Sequence, residues 1–376
     1  MKKLILVLLG CCLSLPTWAQ IPAPATPAIE ARAWLLLDVN SGQVLASRNA
    51  EDRFEPASLT KLMTAYLAFS ALKQKTLKPD QVVPVSTRAW KAEGSRMFIA
   101  PNKPVTVDEL LRGLIIQSGN DASIALAEAI AGSEDVFAQM MNTEARRLGL
   151  TNTNFTNATG LTTPQLHSTA QDLAKLVVAL IRDYPEYYPL YSQKEYRYNN
   201  ISQANRNRLL WLDPTVDGVK TGYTENAGYC LITSARRGER RLVSVVLGTA
   251  SEAARATESQ KLLNWGYLFY DSVRLYAGNQ PVTELRVWKG ASSMLKAGFT
   301  SDLYIAVPKG QASKLKATVE SLQPLLAPVA PGQRVATLKL EFDGKPYREL
   351  AVVALEPVAV AGIFGRAWDT LRLLFK

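Results

Sequence analysis

Ser58 and Lys61 stand three residues apart in Pro56-Ala57-Ser58-Leu59-Thr60-Lys61, ahead of an apolar run that includes Leu62, Met63, Tyr66 and Leu67. Residues i and i+3 share a helix face, so the spacing predicts an amine one turn above a hydroxyl. An amine held neutral by burial can take the proton of that hydroxyl and make the serine a nucleophile. Pro is favoured in the first helical turn, which predicts Ser58 near the start of a buried helix. The helix N-terminus there favours developing negative charge. A lone S-x-x-K is a common chance event, and the plain alternative is a helix start with a solvated lysine. Two further motifs strengthen the chemical reading. Ser118-Gly119-Asn120 follows 60 residues after Ser58, and Lys220-Thr221-Gly222 another 102 residues on.

Other chemistries find little support. The chain has one histidine, His167, in Gln165-Leu166-His167-Ser168, and no G-x-S-x-G elbow surrounds a candidate serine. A Ser-His-Asp triad is therefore poorly supported, and a surface or capping role fits His167 better. One His, with a single Cys outside the first 19 residues, gives no zinc spacing. No glycine-rich phosphate loop is present, so no metal and no cofactor is expected. In the lysine-activated scheme Ser58 attacks a carbonyl and Lys61 takes its proton. Ser118 and Lys220 relay or steady that proton, and Asn120 hydrogen-bonds a substrate amide or Lys61. The oxyanion needs two backbone N–H groups, expected from Ser58 and from the strand near Tyr223 to Glu225. Thr221 and the Lys220 charge suit a substrate carboxylate. Gly222 is expected to leave the strand bare for a substrate backbone.

The elements that must hold these groups can be read in outline. Short apolar runs at Ala33–Asp38 and Val44–Ser47 flank Asn40-Ser41-Gly42, a hairpin turn. Helical patterning on both sides places Ser118 in a loop between helices. Further helices are predicted over Thr169–Ile181, opened by Ser168 or Thr169, and over Ala253–Tyr270; strands are predicted over Gly228–Ala235 and Leu242–Gly248. This is an α/β (α+β) arrangement with an antiparallel sheet flanked by helices. From about residue 275 short β-like runs dominate, with a hairpin turn at Asp343-Gly344-Lys345, and predict a small all-β module. Across Val358–Lys376 the residues Ile363, Phe364, Ala367, Trp368, Leu371, Leu374 and Phe375 share one helical face. Arg366, Asp369, Arg372 and Lys376 take the other, with Leu373 the one exception. That pattern suits an amphipathic helix lying on a membrane surface, too short and too charged to span it. The alternative is a helix docked on the protein itself.

Met1-Lys2-Lys3, the apolar run Leu4–Leu15 and Pro16-Thr17-Trp18-Ala19 read as a secretory signal ending near Ala19. A lipoprotein leader using Cys11 or Cys12 is the rival. Cleavage leaves only Cys230, so no intramolecular disulfide is expected and packing must stabilise the fold. The formal charge of +10, or +8 without Lys2 and Lys3, suits anionic lipid or an acidic polymer. Nucleic acid is not expected as a partner of an exported chain. The resulting organisation is a signal peptide over 1–19, a catalytic domain over 20–274, a β module over 275–357 and an amphipathic helix over 358–376.

S-x-x-K, S-x-N and K-T-G in that order form the signature set of penicillin-binding proteins and class A β-lactamases. From about Arg32 to the C-terminus the chain resembles a low-molecular-weight penicillin-binding protein, a serine-type D-alanyl-D-alanine carboxypeptidase. The resemblance rests also on Ser118-Gly119-Asn120-Asp121-Ala122, Asn157-Ala158-Thr159-Gly160-Leu161, Ser168-Thr169-Ala170, Asn205-Arg206-Asn207 before Trp211 and Val216-Asp217-Gly218-Val219-Lys220-Thr221-Gly222. It implies a penicillin-binding, β-lactamase-like transpeptidase domain and removal of the terminal D-alanine from peptidoglycan stem peptides through an acyl-enzyme on Ser58. It also implies covalent binding of β-lactams, and a place in the periplasm on the outer face of the inner membrane. Arg206 and Arg255 match arginines that meet the substrate's terminal carboxylate. Two positions depart from common relatives: Thr159 and Tyr223 stand where histidines often occur. A class A β-lactamase lacks support because no Glu-x-x-Leu-Asn lies between Ser118 and Lys220. A D,D-endopeptidase cutting crosslinks would use the same Ser and Lys, and a non-catalytic, membrane-attached binder of muropeptides or β-lactams would leave them idle.

Overall fold

The computed structural model describes residues 24–374, so the expected leader and its two cysteines lie outside the described residues. The chain divides into two compact units, one containing residues 25–272 and the other residues 273–374.

The first unit is built on a five-stranded antiparallel sheet. Its strands are β1 (Ala33–Asp38), β2 (Gln43–Arg48), β3 (Val216–Thr224), β4 (Gly228–Arg237) and β5 (Arg240–Thr249), in the order β2-β1-β5-β4-β3. β1 is buried along its whole length because both faces of the sheet are covered, which gives a continuous apolar run instead of alternation. On one face Trp34 and Leu36 meet Leu262, Leu263 and Trp265 of the helix Glu252–Phe269. On the other, Leu35 and Leu37 meet a block of helices: α1 (Lys61–Lys73), α2 (Thr87–Trp90), α3 (Val107–Arg112), α4 (Asn120–Ala131), α5 (Glu134–Arg147) and α6 (Ala170–Asp183). The helix Glu252–Phe269 is α7.

Caps set these helix starts. Ser86, Ser133, Thr169 and Ser251 each accept a backbone N–H of the first turn, and Thr106 with Glu109 forms a capping box. Helix α1 is buried from Lys61 to Phe69, as expected of a helix central to a core. Cys230 on β4, a free and buried thiol, lies opposite Gly222 on β3, and burial pushes it up to about 11.

The second unit is all-β apart from one short 3₁₀ turn and its last helix. A six-stranded sheet runs in the order Leu315–Ser321, Arg334–Phe342, Lys345–Ala354, Met294–Gly298, Pro281–Trp288 and Leu325–Leu326. Asp343 and Gly344, both at positive φ, turn the expected hairpin. The strand Met294–Gly298 carries no signal that the sequence reading detected.

The terminal helix is α8 (Ile363–Leu374), which corrects the expected start at Val358. Val358 is buried and bridged to Val329, and Val360 is bridged to Gly290, so these residues close the module. Asp369 of α8 accepts the backbone N–H of Lys289 at 2.6 Å, so the polar side of the helix is tied to the module. Ile363, Phe364 and Leu374 are at least 74% exposed. Among the described residues no helix is long and apolar enough to cross a membrane.

Candidate active site

Ser58 lies in a 3₁₀ turn, Ala57–Thr60, and Lys61 opens α1 directly behind it. Pro56 caps that turn instead of occupying its first position, a shift of one residue from expectation. Lys61 is fully buried whereas Ser58 is partly open. The Lys61 Nζ lies 3.0 Å from Ser58 Oγ, 2.7 Å from Asn120 Oδ1 and 2.6 Å from the Thr159 carbonyl oxygen. Burial, with the Arg206 charge second, lowers this amine from 10.5 to about 7, while Asp121 and Glu134 act in the opposite sense. Near neutral pH the amine is therefore part charged and part free base.

Ser118 closes a π-helical turn that follows α3 and adopts the left-handed conformation, φ 63° and ψ 35°. A serine there carries strain on the order of 1 kcal/mol or more, which the surrounding core must hold. Lys220 Nζ donates to Ser118 Oγ at 2.8 Å and to the Thr221 carbonyl at 3.0 Å. Burial first, then the charges of Lys61, Arg206 and Arg255, push Lys220 well below its ordinary value.

Asn120 is the first residue of α4, and two hydrogen bonds fix it. Its Nδ2 donates to the Glu93 carbonyl at 2.6 Å and its backbone N–H to the Ser95 carbonyl at 2.7 Å. Beside it the buried Asp121 carboxylate accepts the N–H groups of Met97, Phe98 and Ile99. The segment 93–99 is thereby sewn to the start of α4.

The K-T-G motif lies within β3, at the sheet edge, and the strand predicted from Gly228 is its partner β4. Gly222 points differently from the sequence reading. A Cβ there would meet Leu59, the Pro56 carbonyl and Ala57 at 3.2–3.4 Å. Its missing side chain makes room for the turn that carries Ser58, not for a substrate backbone. Strand alternation fixes that direction.

Arg206 and Arg255 complete the cationic lining. Arg206 is exposed, but its neighbours are buried: Asn207 Nδ2 donates to the Gly218 carbonyl at 2.9 Å and Asn205 Nδ2 to the Gln193 carbonyl at 3.0 Å. The two asparagines anchor the loop and leave the arginine facing the cavity. Arg255, from α7, is buried beside Gly222 O and pairs with Glu252 at 3.3 Å. Tyr223 lies against Tyr229, ring centroids 4.4 Å apart. A cavity of about 330 Å³ brings together Ser58, Ser118, Asn120, Thr221, Gly222, Tyr223, Arg206 and Arg255, with Gly94, Ser95, Thr159, Gly160, Leu161 and Glu252. Lys61 and Lys220 lie buried behind its wall, bonded to two of the lining serines. His167 stays apart, its ring beside the Gln165 carbonyl.

Sequence reasoning missed the Thr159 carbonyl, the Asp121 cradle and Glu252. Only the resemblance touched Thr159, as a departure from histidine. The structure uses its main-chain oxygen, so the change of side chain leaves the Lys61 contact in place.

A paired Ser–Lys on a buried helix, faced by a second Ser–Lys pair and an edge strand, is the arrangement of penicillin-binding proteins. The solved structure of penicillin binding protein 5 from Haemophilus influenzae superposes with a TM-score of 0.86 and 39% identity, covering 90% of this chain and 100% of that one. Residues 20–251 match the peptidase S11 family, D-alanyl-D-alanine carboxypeptidase, and residues 270–360 match the C-terminal domain of penicillin-binding protein 5. The chain belongs to this D-alanyl-D-alanine carboxypeptidase family. D-alanyl-D-alanine carboxypeptidase DacC of Escherichia coli (strain K12) is 43% identical over 357 residues, 93% of this chain and 89% of the relative. Penicillin-Binding Protein D2 from Listeria monocytogenes, solved in the ampicillin bound form, is 30% identical with a TM-score of 0.60, covering 65% of this chain and 100% of that one.

Proposed function

We propose that the protein is a serine-type D-alanyl-D-alanine carboxypeptidase that removes the terminal D-alanine from peptidoglycan stem peptides. The buried Lys61 amine, held beside Ser58 Oγ and lowered to about 7, is the observation that carries the reading. Ser58 Oγ attacks the penultimate D-alanine carbonyl as its proton passes to Lys61 Nζ. The N–H groups of Ser58 and Tyr223 receive the oxyanion. Collapse breaks the C–N bond, and the proton returned from Lys61 leaves with D-alanine. Water then cleaves the Ser58 ester, and Lys61 again takes the proton. Ser118 and Lys220 steady proton movement on the far side, and Asn120 orients Lys61 and a substrate amide. Arg206, Arg255 and Thr221 hold the terminal carboxylate, for which a cationic, partly buried lining is suited. A β-lactam presents a similar carboxylate and acyl centre, so covalent capture on Ser58 belongs to the same reading.

The chain organisation follows: a leader over 1–19 directing export to the periplasm, a peptidase domain over 20–274, a β module from 275, and an amphipathic helix that rests on the outer face of the inner membrane. The exposed apolar face of α8, with the cation Arg372 stacked on Trp368 at 5.1 Å, supports the membrane contact. The test is D-alanine release from a peptide ending in Lys-D-Ala-D-Ala, with Ser58→Ala alongside. Release that vanishes in the variant supports the reading. Absence of release with rapid penicillin hydrolysis indicates a β-lactamase. Absence of release with a lasting penicillin adduct indicates an endopeptidase or a binder.

A further inference from the structure

Behind Lys61 lies a buried carboxylate that the mechanism above does not use. Glu134, the first residue of α5, is 5% exposed. Its Oε1 accepts the backbone N–H of Ala158 at 2.9 Å, and its Oε2 pairs with Arg88 of α2, itself 60% exposed. The next residue after Ala158 is Thr159, whose carbonyl lies 2.6 Å from Lys61 Nζ. The Ala158 carbonyl in turn accepts Thr64 Oγ1 at 2.7 Å, one turn beyond Lys61 on α1. One short peptide segment is thus held by Glu134 on one side and touches the catalytic helix twice on the other.

We propose that Glu134, paired with Arg88, is a positioning residue for Lys61: it fixes the Thr159 carbonyl against the amine and supplies a negative charge behind it. The charged groups facing Lys61 are Arg206 and Lys220, which favour the free base, and Asp121 and Glu134, which favour the ammonium. Asp121 is committed to three backbone N–H groups of residues 97–99, so it cannot be altered without releasing that segment. Glu134 is different. Gln in its place keeps the shape and the acceptor for Ala158 N–H, and loses the charge together with the acceptor for Arg88. Arg88 is at the surface, and its removal strips the compensating charge while sparing the core.

The inference rests on Lys61 acting as the base. The experiment is the pH profile, from 5 to 9, of acylation by a fluorescent penicillin, run on wild type, Glu134→Gln and Arg88→Gln. In wild type the rate is expected to fall on the acid side of pH 7. Glu134→Gln is expected to move that limb down by about half a unit, which at pH 6 raises the rate relative to its plateau about 2.5-fold. Arg88→Gln is expected to move it up by a similar amount, lowering the relative rate at pH 6 about threefold. A purely structural role would scale the plateau and leave the limb in place. If Glu134→Gln does not fold, Arg88→Gln alone decides. Unmoved limbs, or shifts of the opposite sign, overturn the proposal while leaving Lys61 as base; a wild-type profile with no limb near 7 overturns both.

Discussion

Gly160 gives the most direct test of how the site is held. Its φ is +84°, and a Cβ built there would lie 1.8 Å from the Ala57 carbonyl oxygen and 2.9 Å from Thr60 Oγ1. Ala57 precedes Ser58 and itself sits at φ 48°, so this neighbour is main chain in a constrained turn and cannot swing aside. Real Cβ contacts do not fall below 3.0 Å, so Gly160→Ala must open the two segments by at least 1.2 Å, from 1.8 to 3.0 Å. The Thr159 carbonyl, one residue away, lies 2.6 Å from Lys61 Nζ. Carried the same distance it reaches about 3.8 Å, beyond any hydrogen bond. The left-handed conformation adds about 1–2 kcal/mol for alanine. A displacement of this size at a catalytic group costs on the order of 10²-fold in rate. The assay is the second-order rate of penicillin acylation, with the thermal midpoint recorded beside it. A Gly160→Ala protein that acylates within about twofold of wild type at an unchanged midpoint would refute the argument that this approach sets the Lys61 cage.

Other expectations follow from the same geometry. With Lys61 at about 7, acylation is expected to fall about tenfold per unit below pH 7 and to level off above pH 8; a flat profile from 5 to 8 removes Lys61 as the base. Arg206→Ala deletes a charge that favours the free amine, so the acid limb is expected to rise in pH while D-alanine release weakens through KM, both read from one steady-state pH series. Folding lowers Lys61 from 10.5 to about 7, so the unfolded chain binds more protons between those values and this group makes stability rise with pH across that window. Any advantage in stability of Lys61→Met over wild type is therefore expected to shrink as pH rises from 7 to 10, by at most about 1.4 kcal/mol per unit, in urea titrations. Removing residues 363–376 is expected to release the protein from anionic vesicles and leave penicillin acylation unchanged; continued sedimentation with vesicles would contradict the role of α8.

The parts of the site legible in the sequence were those encoded by side-chain type. Ser58, Lys61, Ser118 and Lys220 announce themselves by spacing, and the buried helix behind Lys61 by its apolar run. What escaped reading depends on backbone direction. The Thr159 oxygen that bonds Lys61 is present in any residue, so no letter marks it. The direction of Gly222 depends on the register of β3, which became readable only once β3 was paired with β4. Asp121 entered only as one residue of the Ser118–Ala122 motif, and its three backbone partners come from a segment more than 20 residues earlier. In the second unit the strand Met294–Gly298 has Leu295 as its one large buried side chain, too little alternation to signal a strand. Val358 matched the apolar tail in character, but its bridge to Val329 assigns it to the module.

The neutral thiol of Cys230 faces Gly222 across the strand pair that forms one wall of the site. A thiolate is the species that reagents attack, and here burial both suppresses it and blocks access. Modification therefore has to wait until the core layer packed over that face of the sheet opens. The speed at which a thiol reagent consumes the native protein is a clock for the opening of that layer, and needs no introduced label. An acyl group on Ser58 that braces the layer would slow the clock, and one that leaves it unengaged would not.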